Sequence, residues 1–151
     1  MIDRFQVVPA AYVVLRRDDQ ILLQLRRGTG YMDGYWATAA AGHVETDESV
    51  VAAALREARE EIGVDIAPAA LIPLTAMHRT AGNHQAIDER VDFFFSCLQW
   101  AGEPRLVEPE KAADLAWFDL AGLPENVVAH ERFVFERLRD DSLSPIVTFG
   151  F

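Results

Sequence analysis

Gly42-His43-Val44-Glu45-Thr46-Asp47-Glu48-Ser49-Val50-Val51-Ala52-Ala53-Ala54-Leu55-Arg56-Glu57-Ala58-Arg59-Glu60-Glu61-Ile62-Gly63-Val64 is the segment on which fold and chemistry both turn. Val50, Val51, Ala54, Leu55, Ala58 and Ile62 recur at helical spacing, which predicts a helix over about 47–62. Thr46 or Asp47 can cap its start, Glu48 suits the positive end of the helix dipole, and Gly63 suits the left-handed position that stops a helix. Glu57, Glu60 and Glu61 lie at i, i+3 and i+4, so they project from one face. Like charges at that spacing destabilise a helix by roughly 0.2–0.5 kcal/mol per pair, and the last two turns are where the dipole disfavours negative charge. An acidic cluster set against local helix energetics points to an external cation. A solvated acidic face with Arg56 and Arg59 as partners is the alternative that three glutamates alone leave open. Magnesium suits the cluster, because it takes hard oxygen ligands, keeps several waters and bridges carboxylates to phosphates. Zinc does not, because no compact His/Cys ligand set accompanies the glutamates.

Upstream of this segment, residues 7–15 are apolar and rich in valine, 16–20 read as a turn, and 21–25 as a second strand, together a hairpin. Gly28, Gly30 and Gly34 mark an irregular loop ending near Trp36, and a run of small residues, Ala37 to Ala41, leads to Gly42. Downstream, a strand is expected within 69–80, a polar loop from Thr80 to Arg90, a strand over 91–100 and a shorter one from Ala113 to Phe118. A second helix is expected over 125–139, with Val127, Val128, Phe133, Phe135 and Leu138 facing the core. Strands and two helices in this order predict an α/β sandwich, a sheet with a helix on each face, as a single domain over 1–151.

Composition bounds the partners. The 24 Asp and Glu outnumber the 14 Lys and Arg, giving a net charge of −10. That excludes general attraction to nucleic acid polymers or anionic membranes, while a small anion can still bind where cations reverse the local field. Cys97 is the one cysteine, which rules out an internal disulfide; inside Phe93-Phe94-Phe95-Ser96-Cys97-Leu98 it reads as a buried thiol. The apolar run from Val7 to Leu15 is interrupted by Pro9 and preceded by Asp3 and Arg4, unlike a secretory signal, and no stretch approaches the ~20 residues needed to span a bilayer. A cytoplasmic protein is the expectation.

The full spacing of the glutamate segment is more specific than the carboxylates alone. It reads G-x5-E-x7-R-E-A-x-E-E-x-G-V, from Gly42 through Glu48, Arg56, Glu57, Glu60, Glu61 and Gly63 to Val64. This resembles the Nudix box, G-x5-E-x7-R-E-U-x-E-E-x-G-U with U aliphatic; every fixed letter is present, and Ala58 is small for its position. The resemblance implies an α/β/α sandwich with a mixed sheet and hydrolysis of a nucleoside diphosphate linked to another moiety. It implies Mg²⁺, with Mn²⁺ as substitute. Glu60 and Glu61 are then expected as metal ligands, Glu57 as metal ligand or general base, and the Gly42 carbonyl as a further ligand. Arg56 would orient a catalytic glutamate, and Glu48 would support from behind.

Outside the box, Gly102-Glu103-Pro104-Arg105-Leu106-Val107-Glu108 resembles a loop of the bacterial members that hydrolyse oxidised guanine nucleotides, which makes Glu108 a candidate extra ligand or base, with Glu110 and Glu89 as competitors. By the same resemblance Arg27, with Arg26 as its alternative, would contact substrate phosphates. Asn126 would read a purine edge, although capping of the second helix is the simpler and favoured explanation. The histidines at 43, 78, 84 and 130 show no zinc-like spacing. Trp36 and Trp117 could stack a base or ring, but a core role is the expectation for each. Two departures weaken substrate assignment: Ala40-Ala41 replaces the usual Pro-Gly before Gly42, and five residues separate Trp36 from Gly42. The expected partner is therefore a small nucleotide-like diphosphate: a nucleoside triphosphate, or alternatively ADP-ribose or another nucleotide sugar or dinucleotide. A homodimer remains open. A non-catalytic nucleotide sensor fits less well because every box carboxylate is kept. An isomerase fits less well because no catalytic cysteine-and-glutamate pair stands out.

Overall fold

The expected hairpin opens the fold. β1 (Val8–Arg17) and β2 (Gln20–Arg26) pair antiparallel across Asp18-Asp19, with Asp18 at φ 55. A short polar side chain tolerates that left-handed conformation, which tight hairpin turns require. The computed structural model describes residues 3–151. The chain continues through β3 (Trp36–Thr38), β4 (Ala40–His43), α1 (Val50–Ile62), β5 (Leu71–Arg79), β6 (Arg90–Cys97), β7 (Ala112–Asp119), α2 (Ala129–Arg139) and β8 (Ile146–Phe149).

These strands form one eight-stranded sheet in the order β3-β2-β1-β6-β5-β8, with β4 also beside β1 and β7 also beside β2. β1 runs parallel to β6 and β5 parallel to β8, while the other pairs are antiparallel, so the sheet is mixed. β4 pairs with Ala10–Val13 of β1, and β2 takes over at Arg16 and Arg17. One edge of the central strand is thus shared between two partners that diverge from each other.

Alternation along β1 builds a core on each face. Ala11, Val13 and Leu15 pack with Ala53, Ala54, Ala58 and Ile62 of α1. Ala10, Tyr12 and Val14 pack with Val134 and Phe135 of α2 on the other side. Full burial of side chains such as Ile62 or Phe135 contributes roughly 1.5–3 kcal/mol each. The α/β/α sandwich is therefore as expected. No helix among the described residues is long and apolar enough to cross a membrane.

Several element bounds differ from the sequence reading. α1 begins at Val50, not near 47, because Ser49 is its N-cap: its Oγ accepts from the Ala52 amide at 3.0 Å, worth about 1 kcal/mol. Asp47 is instead in a left-handed turn (φ 64), and Glu48 lies before the cap. The stop at Gly63 is as expected (φ 68), with its amide donating to Arg59 and that of Val64 to Ala58. α2 begins four residues later than expected, because 126–128 are held in extended pairing with Trp36. Cys97 is buried as expected. Trp36 packs edge-on against Phe118, and Trp117 stacks on Trp100.

Candidate functional site

α1 and β4 assemble the site. Gly42 sits in the β1–β4 ladder opposite Ala11, and the Glu57 carboxylate lies directly against it. A Cβ on Gly42 would stand 2.2 Å from Glu57 Oε1, so only glycine leaves room for the carboxylate there. Arg56 gathers the acidic groups. Its Nε donates to Glu48 Oε2 at 2.7 Å, its Nη2 to Glu48 Oε1 at 2.9 Å, and its Nη1 to Glu57 Oε1 at 2.7 Å and Glu60 Oε2 at 3.1 Å. Nη2 also donates to the His43 carbonyl, tying the helix to the end of β4. Glu48 accepts in addition from the Glu45 amide, and the Arg56 bonds hold its carboxyl down at about 2. Arg59 pairs instead with Asp65 in solvent.

Glu61 turns the other way and accepts from the Ala41 amide at 2.6 Å. Burial, and after it the negative charge of Glu57 and Glu108, pushes its carboxyl well up; the Ala41 amide only partly offsets this. Glu57 is also pushed up, by burial first, against the opposing pull of Arg56. Glu108 thus lies within the field of both. Its loop is fastened to α1 by the Val107 amide, which donates to the Glu61 carbonyl. Among the described residues no three acidic, histidine or cysteine side chains already converge as a ligand set, because Glu57 and Glu60 face Arg56 while Glu61 faces Ala41. Of the competitors, Glu89 accepts from Thr80 Oγ1, and Glu110 presents its backbone carbonyl to Gly28.

A cavity of about 590 Å³ opens beside these groups, where β4 and β2 diverge from β1. Glu61, Gly42 and His43 line one end. Arg26 lines it too; Arg27 does not, because its guanidinium is bound to the Pro109 carbonyl. Asn126 neither lines the cavity nor caps α2: its Nδ2 donates to the Gly34 carbonyl at 2.8 Å, and Val128 occupies the cap position.

The opposite end holds a polar cluster that the sequence reading missed. Tyr12 Oη and His130 Nε2 are hydrogen-bonded at 3.1 Å, and Asp92 Oδ2 lies 3.7 Å from the same nitrogen while ion-paired to Arg79. Glu131 Oε1 accepts from the Thr38 amide at 2.7 Å. Thr38 Oγ1 and Asp92 Oδ1 are buried without a partner. The available signal was a charged residue, Asp92, inside an apolar strand run, since buried charges occur with partners.

Burial pushes the Glu131 carboxyl up to about 7, with the Thr38 bonds and Arg26 opposing and Asp92 adding to the rise. The native chain then keeps this proton over a range, from about pH 4.5 to about 7, in which the unfolded chain has lost it, so stability falls as pH rises through that window. Glu131→Gln keeps an acceptor for Thr38 and removes the titration. Its stability relative to wild type is expected to rise by roughly 1.4 kcal/mol for each pH unit crossed there, measured by denaturant unfolding. A gap independent of pH would show that Glu131 titrates as an ordinary carboxylate.

Comparison with known proteins agrees with this architecture. Residues 6–138 match the NUDIX domain family model. The chain is 33% identical over 116 residues to the NAD-capped RNA hydrolase NudC of Stutzerimonas stutzeri (strain A1501), covering 77% of this chain but only 38% of that protein's length. It is 30% identical to the isopentenyl-diphosphate Delta-isomerase of Ruegeria pomeroyi (82% of this chain, 69% of that one). It is 28% identical to the 8-oxo-dGTP diphosphatase of Proteus vulgaris (68% and 86%). The crystal structure of a MutT NUDIX hydrolase from Burkholderia pseudomallei superposes with a TM-score of 0.77 at 29% identity, covering 88% of this chain and 98% of that one. With the match spanning most of its length, this chain belongs to the NUDIX domain family.

Proposed function

We propose that this chain is a Mg²⁺-dependent hydrolase that cleaves a diphosphate bond in a nucleoside triphosphate or a related nucleoside diphosphate derivative by attack of water at phosphorus. The observation that carries the reading is the Glu57 carboxylate pressed against Gly42, with buried Glu61 and with Glu108 close enough to raise both. Carboxylates that repel one another under partial burial fit a divalent cation, and oxygen-only donors fit magnesium, with manganese as substitute. Glu57, Glu60, Glu61, Glu108 and the Gly42 carbonyl would hold it. A cation held there would supply neutralisation of phosphate charge and acidification of a bound water. Arg56 keeps Glu57 and Glu60 oriented, and Glu57, if not itself a cation ligand, would take the proton of the attacking water.

Of the two strand-end arginines only Arg26 lines the cavity, and it would have to release Tyr31 and Thr29 to meet a phosphate, whereas Arg27 and Asn126 have structural tasks. The non-phosphate part of the substrate would extend toward Tyr12, Thr38, His130 and Glu131. The likeness to NudC favours, as a second reading, a dinucleotide or nucleotide sugar such as ADP-ribose. Isomerase chemistry through a cysteine finds no support here, because Cys97 is buried against the Gln99 carbonyl and does not line the cavity.

A phosphate-release assay over normal and oxidised nucleoside triphosphates, ADP-ribose and dinucleoside polyphosphates is expected to show turnover with Mg²⁺. EDTA should stop it and added Mg²⁺ restore it. Turnover that persists in metal-free buffer would defeat the cation assignment, and silence across the whole panel would defeat the substrate class.

A further inference from the structure

Lys111 is the only lysine in the sequence; the rest of the 14 Lys and Arg residues are arginines. It stands at the cavity beside Arg26, Arg79 and Arg90, with its Nζ 3.0 Å from Glu108 Oε2. The three arginines are committed to protein acceptors. Arg26 donates to the Tyr31 carbonyl and Thr29 Oγ1, Arg79 holds buried Asp92, and Arg90 donates to the Ile87 carbonyl. Lys111 has one partner among the described residues, Glu108, and its side chain is 59% exposed. Its backbone is fixed, since the Arg27 amide donates to the Lys111 carbonyl at 3.0 Å and the Arg27 guanidinium binds Pro109. The side chain alone is therefore free to turn. An ammonium on a flexible stem binds phosphate as a point charge and needs no matching planar geometry.

We propose that Lys111 is a substrate-contacting residue, whose ammonium exchanges Glu108 for the phosphate chain of the bound diphosphate. The inference rests on the reading of the cavity as a cation-assisted diphosphate site. Once Glu108 turns to a divalent cation, Lys111 loses its partner, and the incoming phosphate oxygens supply another. The exchange leaves no charge unpaired: carboxylate goes to cation, ammonium to phosphate. The fixed backbone keeps the ammonium within reach of the same acidic groups throughout.

The single lysine makes the test direct. The full chain with Mg²⁺ is titrated calorimetrically with methylenediphosphonate, a non-hydrolysable diphosphate, and Lys111 is acylated by an amine-selective reagent and read by peptide mapping. Bound probe is expected to shield Lys111 from acylation. Lys111→Met should weaken probe binding by about tenfold, the loss of one charge-assisted contact, and Lys111→Arg should recover much of it. Unchanged affinity in Lys111→Met overturns the assignment. So does equal acylation with and without bound probe, a measurement on the wild-type chain that does not depend on how the variants fold. If wild type fails to bind the probe with Mg²⁺, the diphosphate-site reading fails first and takes the Lys111 assignment with it.

Discussion

Glu57→Gln is expected to lower turnover by roughly 10²–10⁴-fold, the range associated with losing a positioned general base, while the chain melts no lower than wild type. The glutamine amide oxygen can still accept from Arg56, so the hydrogen bond that orients position 57 survives. The charge that burial and the neighbouring carboxylates oppose is removed, which leaves the fold with less strain. A phosphate-release assay with a thermal melt separates the two effects. Turnover near the wild-type rate would show that the Glu57 carboxylate takes no part in the chemistry. A collapse of the melt together with activity would show that its role is structural.

Gly42→Ala is the more selective experiment. The new methyl would overlap the Glu57 carboxylate, 2.2 Å from Oε1 and 2.4 Å from Cδ, and its three nearest atoms all belong to that side chain. The obstructed atoms are the far end of a flexible side chain, so the helix and sheet should absorb the change and the carboxylate should swing aside. Displacement by about 1 Å of a group that must meet the substrate in register can cost roughly 10²-fold, and a loss of that order is expected with little change in melting temperature. Full activity in Gly42→Ala would mean that the observed contact between position 42 and Glu57 is irrelevant to catalysis.

The sequence conveyed the box because its chemistry is local: thirteen helical residues carry their own periodicity, stop signal and misplaced charges. It was less informative where tertiary contacts decide. Thr46, Asp47 and Ser49 can all cap a helix, and only the three-dimensional path of the preceding turn selects Ser49. Val127 and Val128 fit helical spacing, yet the Trp36 amide donates to the Asn126 carbonyl and the Val128 amide to the Trp36 carbonyl, which keeps them extended. β3 and β4 arise from an alanine-rich run with little strand propensity and exist because β1 and β2 offer them partners. β8 was not read at all; it pairs in parallel with β5 at the sheet edge.

The residues of the candidate site divide in the same way. Arg56 and the glutamates it binds lie within one segment, whereas Tyr12 meets His130 across 118 positions, and no spacing rule links them. Arg27 and Arg26 were indistinguishable as a pair of strand-end arginines. The closing of the 108–111 loop, which Arg27 caps by binding Pro109, is what separates their tasks.

The central strand also bears on how such a molecule can diverge. Because odd positions of β1 lie under α1 and even positions under α2, inserting or deleting one residue there would exchange the two layers and drive Tyr12 beneath the glutamates. The strand therefore behaves as a ruler of fixed length. Changes in length are best tolerated in exposed connections such as 28–34 and 81–87, which border the cavity at Thr29, Tyr31 and Ile87. Lineages that lengthen or trim those connections can acquire new ligand preferences while the bond-breaking apparatus stays in register.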